Sequence, residues 1–189
     1  MKTKRLFIGI PLESGEVSEL ETLQLSWKEA LGLPRESLIS KSDFHLTLHF
    51  LGAIEEGRVG LWLESLESHA KLKTFSFDLN RFLAFPNISK ARVITVAGAV
   101  GNSPLTHLFY QMAETVQRLG SKLEERLYVP HVTLFRGKNL KIERALEVLK
   151  PIPIRISRFA LYESPTHPRE SRYQILKSYE LKAALGTET

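Results

Sequence analysis

The sequence contains no cysteine, which excludes disulfides, thiolate metal sites and cysteine nucleophiles together. It has no apolar run near the roughly 20 residues of a membrane span. The short apolar run after the basic start leads into Glu13 and Glu16, with no small-residue cleavage site. The opening is therefore expected to be a first strand, and the protein to be cytoplasmic with no membrane partner. G-x-S-x-G, a Walker-type glycine loop, H-E-x-x-H and a paired carboxylate arrangement are also missing. Their absence argues against a nucleophile-elbow hydrolase, a P-loop nucleotidase and a zinc protease.

What is present is an ordinary globular composition, 43% hydrophobic and 25% charged. At 189 residues the chain can build one sizeable core, or two small lobes sharing one. Its net charge of +5 is unevenly placed. Residues 1–94 hold 12 basic and 12 acidic side chains, while residues 95–189 hold 14 and 9. An excess of cations in one half suits an anionic partner such as RNA.

Along the chain the same unit occurs twice. Arg5 to Ile10 reads as a buried strand, and Val17, Leu20, Leu23, Trp27 and Ala30 form a helical stripe. Ser14 is the expected N-cap of that helix and Gly32 its stop. "FHLTLHFLG" follows as a strand ended by Gly52, then a helical pattern through Val59, Trp62, Leu66 and Ala70, then "TFSFDLNRFLAFP" as an extended segment. In the second half "ARVITVAG" is a strand. Ser103 and Pro104 cap a helix with the stripe Leu105, Leu108, Met112, Val116 and Leu119. "PHVTLFRG" is again a strand, "KIERALEVL" a short helix, "PIRISRFALYESP" an extended run and "RYQILKSYEL" a closing strand. Arg5 to His45 is 40 residues and Arg92 to His131 is 39, and "NRFLAFP" echoes "SRFALYESP". We expect one domain over 1–189, made of repeats at about 4–87 and 91–165 with a closing strand at 171–182. The expected class is α+β: two mainly antiparallel sheets related by a pseudo-twofold, facing a central cleft, with helices outside.

Alternate residues of a strand share a face. His45 and Thr47 therefore face one way while Leu46, Leu48 and Phe50 face the other, and His131 and Thr133 stand likewise against Val132 and Leu134. If the lobes are related by a twofold, the two polar faces meet across one cleft. Two imidazoles there suit phosphoryl chemistry, because one can accept a proton from water while the other donates to the departing oxygen. Threonine hydroxyls and backbone N–H groups can bind the nonbridging oxygens. This scheme requires no metal and no cofactor.

The paired "HLTL" and "HVTL", the "HLTLHFLG" extension, the opening "RLFIGIPL", the "ARVITVAG" strand and the terminal "SRYQILKSYEL" resemble the two-histidine (2H) phosphoesterases. The resemblance is greatest to the RNA 2′,3′-cyclic phosphodiesterase branch, also called the 2′-5′ RNA ligase or LigT-like branch, and runs over essentially the whole chain. It implies a bilobal fold and metal-independent opening of a 2′,3′-cyclic phosphate to a 2′-phosphate. His45 would be the proton donor to the 3′ oxygen and His131 the proton acceptor from water, although pseudo-symmetry leaves the reverse division open. Thr47, Thr133 and Arg136 would contact phosphate or substrate, the last matching an arginine often found after the second motif. Strict alternation points Arg136 away from His131, so a bulge or strand end after Phe135 is required; Phe50 holds the corresponding place in the first copy. The implied partner is RNA or a nucleotide with a 2′,3′-cyclic phosphate end, tRNA fragments included, bound by a monomer.

His49 either edges the cleft or, as we expect, is a solvated strand residue. His69, His107 and His167 are expected on the surface, and Arg169 and Arg172, near the loop that holds His167, could track an RNA backbone. Two rival readings stand beside hydrolysis. One is ligation to a 2′-5′ linkage by the reverse transesterification, and the other a binding module with little catalysis.

Overall fold

The computed structural model describes residues 2–140, 142–148, 150–165 and 173–183. In chain order the elements are β1 (Thr3–Pro11), α1 (Ser14–Leu31), β2 (His45–Glu55), α2 (Val59–Leu66), β3 (Phe75–Phe85), β4 (Ala91–Gly98), α3 (Pro104–Arg118), β5 (His131–Leu140), β6 (Ile152–Ile156), β7 (Arg158–Ser164) and β8 (Gln174–Glu180). The strands form one sheet in the order β6-β3-β4-β5-β2-β1-β7-β8, and every ladder in it is antiparallel. The α+β class expected from the sequence is the one observed; the two antiparallel sheets expected are the two halves of one continuous, curled sheet.

The sheet divides at its middle. β5 and β2 are joined by a single register pair, Leu46 with Val132, whereas the ladders on either side are long. Reading outward from this seam, one half runs β2-β1-β7-β8 and the other β5-β4-β3-β6. The strands that carry the sequence echo hold equivalent places: β2 with β5, β1 with β4, β7 with β3. Each third strand nevertheless lies in the half opposite the other strands of its own repeat: β3 beside β4, and β7 beside β1. The predicted single run through "PIRISRFALYESP" is accordingly two strands that pair at different places, β6 with β3 and β7 with β1. Only Ser157 separates them. So short a link is possible because the sheet curls until its ends approach: Lys182 N–H donates to Leu72 O and Thr74 N–H to Lys182 O.

The helices cover the apolar face of the sheet. α1 buries Leu20, Gln24 and Trp27, and α3 buries Leu105, Leu108, Met112 and Val116. No helix among the described residues is long and apolar enough to cross a membrane. Ser103 caps α3 as expected, accepting from Thr106 N–H. For α1 the cap is Glu13 rather than Ser14: Glu13 and Glu16 form a reciprocal capping box, which satisfies two backbone donors where serine would satisfy one. Gly32 ends α1 in the left-handed conformation, φ 61°. β2 does not stop at Gly52 but runs on to Glu55. The helix expected over 141–149 is not formed by residues 142–148. Its Ile142, Leu146 and Val148 join the core as irregular chain.

Where β2 and β5 part, side chains take up the freed backbone groups. Leu134 O accepts from Ile39 N–H at 2.9 Å and from Gln24 Nε2 at 2.6 Å, Gln24 Nε2 also donates to Ile39 O at 2.9 Å, and Tyr128 donates to Thr47 O at 3.2 Å. Gln24→Leu removes the buried donor and is expected to cost about 1–3 kcal/mol, read as a lower urea midpoint at unchanged m-value.

Candidate active site

The seam pair builds the site. Leu46 and Val132 are fully buried, so their neighbours His45, Thr47, His131 and Thr133 stand on the opposite face, and all four are half-buried. Continuing the antiparallel register one step each way sets Thr47 opposite His131 and Thr133 opposite His45. The structure thus brings together both predicted histidines and both predicted threonines.

Each histidine is oriented in the same way. His45 Nδ1 lies 2.6 Å from Asp43 O, and His131 Nδ1 lies 2.7 Å from Val129 O. A carbonyl only accepts, so Nδ1 carries the proton of the neutral ring and Nε2 is left with the lone pair. Thr47 Oγ1 stands 3.0 Å from His45 Nε2 and donates to it in that state. Among the described residues His131 hydrogen-bonds only through Nδ1, so the two imidazoles differ in what meets their reactive nitrogen.

Arg136 reaches the same face through a bulge. Ile94 pairs with Phe135 and Thr95 with Thr133, which leaves Leu134 as an extra residue and reverses the alternation. The required bulge therefore exists, one position earlier than expected. β2 carries its counterpart: Ile8 pairs with His49 and Gly9 with Thr47, leaving Leu48 extra. Phe50, expected on the buried face, is consequently 61% exposed, in the place that Arg136 holds on β5. The same slip corrects His49, which is neither solvated nor at the cleft edge. It is buried, donates from Nε2 to Phe109 O at 2.8 Å and stacks on that ring at 4.2 Å. His69 is half-buried beside Thr115 Oγ1 and His107 is exposed as expected. His167, Arg169 and Arg172 lie outside the described residues.

Aromatic rings surround His45 that sequence reasoning missed. Phe7 and Tyr173 have centroids 4.9 Å from its ring and Tyr162 5.8 Å. Phe7 and Tyr162 stack at 4.7 Å across the bare backbone of Gly9, where a Cβ would stand 2.9 Å from Leu46 O and 3.3 Å from both rings. His131 has Phe85 at 5.6 Å. Phe85 and Tyr162 end the matching stretches "RFLAF" and "RFALY", so the echo between β3 and β7 was the usable clue.

Burial pushes the His45 pKa down to about 4; the Asp43 carbonyl opposes this, and the charges of His131 and Arg136 push the same way as burial. His131 is also lowered by burial, opposed by its bond to Val129 and by Glu124. Because the folded state resists a proton that the unfolded chain accepts, stability should fall as pH drops from 6.5 towards 4. His45 alone accounts for about 3 kcal/mol of that loss at most. Urea midpoints measured at pH 7 and pH 4.5 test this, and His45→Asn should flatten the difference.

A family model described as LigT like Phosphoesterase matches residues 10–95 and 100–173. The RNA 2′,3′-cyclic phosphodiesterase of Methanocaldococcus jannaschii is 28% identical over 182 residues, 93% of this chain and 99% of that protein. The Thermotoga maritima protein of the same name is 27% identical over 187 residues, 96% and 97% of the two chains. The Bacillus subtilis one is 30% identical over 131 residues, 69% of each. Among solved structures, TT0787 of Thermus thermophilus superposes with a TM-score of 0.80 at 24% identity, covering 95% of this chain and 98% of that one. Escherichia coli LigT complexed with 3′-AMP gives 0.73 at 20% identity, covering 95% and 99%. The family match extends over both strands that bear the histidines.

Proposed function

Because the chain belongs to the LigT-like phosphoesterase family, we propose that it hydrolyses 2′,3′-cyclic phosphate ends of RNA or nucleotides to 2′-phosphomonoesters without a metal. The observation that carries this reading is the pair of imidazoles on one face of the seam, each with Nδ1–H fixed by a carbonyl. The relatives named as RNA 2′,3′-cyclic phosphodiesterases support the substrate class.

In the reaction His131 Nε2 takes a proton from water as the water oxygen bonds to phosphorus. The bond from phosphorus to O3′ breaks, and His45 Nε2–H protonates the departing oxygen. One imidazole leaves the turnover charged and the other neutral, and exchange with solvent restores both. The Thr47 and Thr133 hydroxyls and the Arg136 guanidinium bind the nonbridging oxygens, where charge accumulates in the transition state. The substrate's negative charge raises the pKa of His45, so binding itself loads the acid. We assign the reaction to a cytoplasmic monomer acting on RNA ends that include tRNA fragments. We further assign the repeats 4–87 and 91–165 to an ancestral duplication within one domain, which the equivalent strand places support.

The test is an RNA ending in a 2′,3′-cyclic phosphate, incubated in EDTA and followed by phosphorus NMR. A 2′-phosphate product is expected; loss of turnover on chelation ends the metal-free reading, and a 3′-phosphate reverses the regiochemistry. The division of roles has its own readout. If His45 is the acid, kcat/KM falls as pH rises through its pKa, and Arg136→Met removes a charge that depresses that pKa. The alkaline limb of the profile should then move to higher pH; movement of the acidic limb instead would make His45 the base.

A further inference from the structure

A second concavity of about 620 Å³ opens beside His45 and has that residue in its wall. This size lies within the range of small-ligand sites. Leu12, Val17, Tyr162, Tyr173 and Ile175 form its apolar walls, and Ile175 is 43% exposed at the surface. Two cations, Lys41 and Arg158, also line it, but both are engaged: Lys41 with Glu21 at 2.9 Å and Arg158 with Glu13 at 3.2 Å. A groove with apolar walls and neutralised cations suits a flat uncharged ring better than a second phosphate. Tyr173 is fixed there by its edge contacts with Phe7 and His45 and by its N–H to Asp43 Oδ1 at 3.3 Å. It hangs from the same residue whose carbonyl orients His45.

We propose that this groove is the nucleobase subsite for the nucleotide whose ribose oxygen is protonated by His45. The inference rests on the phosphodiesterase reading above. The ribose joined to the oxygen leaving at His45 must lie on the His45 side of the phosphorus, and its base extends from there into the groove. Phe50, whose ring centroid lies 6.1 Å from that of Phe7, offers the competing aromatic surface, in a separate groove whose wall contains neither histidine.

The experiment compares adenosine 2′,3′-cyclic phosphate with methyl ribofuranoside 2,3-cyclic phosphate, which keeps the reacting centre and lacks the base. The wild-type protein should favour the nucleoside by about ten-fold or more in kcat/KM, the scale of stacking one base. Ser18→Trp fills the groove from the exposed face of α1, and Ile175→Asp charges its rim. Either should raise KM for the nucleoside by about ten-fold and leave the methyl riboside within about two-fold, with folding checked by circular dichroism. Equal effects on both substrates, no effect on either, or loss of the preference in Phe50→Ala alone would overturn the subsite. If the wild-type protein turns over neither compound, calorimetric binding of 2′-AMP against ribose 2-phosphate decides. Discrimination that Ser18→Trp abolishes keeps the subsite and ends the phosphodiesterase reading, whereas equal binding ends the subsite.

Discussion

Alanine at His45 or at His131 is expected to lower kcat for opening a 2′,3′-cyclic phosphate by roughly 10²–10⁴-fold, the contribution of one positioned acid or base. KM should change far less, because in the proposed mechanism the phosphate is bound by Thr47, Thr133 and Arg136. The double variant should be little worse than either single one, since the two imidazoles act in one proton-transfer sequence. Single-turnover measurements with saturating protein separate this chemical loss from slow product release. Retention of more than about a tenth of the wild-type rate by either variant would sink the two-histidine mechanism. Both rings are half-buried, so the comparison is made at a pH where each variant is shown to be folded.

Leu46→Ala should do the greatest damage to the scaffold. Leu46 is fully buried and is one member of the single register pair that joins β2 to β5. Truncating such a residue costs about 2–5 kcal/mol through lost burial and the cavity left behind. The loss should also reach the chemistry, because the residues on either side of Leu46 are His45 and Thr47. We expect a fall in kcat at temperatures where the variant is still folded, while Leu46→Met, which keeps the volume, should cost less than about 1.5 kcal/mol and keep its activity. Denaturation and turnover measured on the same preparations test both parts. A destabilised Leu46→Ala protein with unchanged kcat would show that the seam supports the fold without setting the site.

The features legible in the sequence were those set by local periodicity. Alternation in "FHLTLHF" and "PHVTLF" placed the histidines and threonines on one face, and Ser103 with Pro104 marked the start of α3 correctly. The features that were not legible depend on a partner strand. A bulge is an extra residue relative to its neighbour, so Leu48 and Leu134 look like any other leucine until β1 and β4 are laid beside them. The need to bring Arg136 round demanded a bulge in β5, and the same reasoning carried over to β2 would have recovered Phe50 and His49. The aromatic surround of His45 was hidden for a related reason. Phe7, Tyr162 and Tyr173 come from distant parts of the chain and meet only once β1, β7 and the start of β8 are assembled. The capping box of α1 was present in the sequence as Glu13 and Glu16, but serine is the commoner N-cap and drew the assignment to Ser14.

The seam has a consequence for temperature. Each half of the sheet is held by long hydrogen-bonded ladders, whereas β2 and β5 share one register pair and lean on apolar side chains such as Leu46 and Val132. Hydrophobic cohesion weakens on cooling. Chilling is therefore expected to loosen the join between the two histidine-bearing strands before it loosens either half, and with it the spacing of the imidazoles.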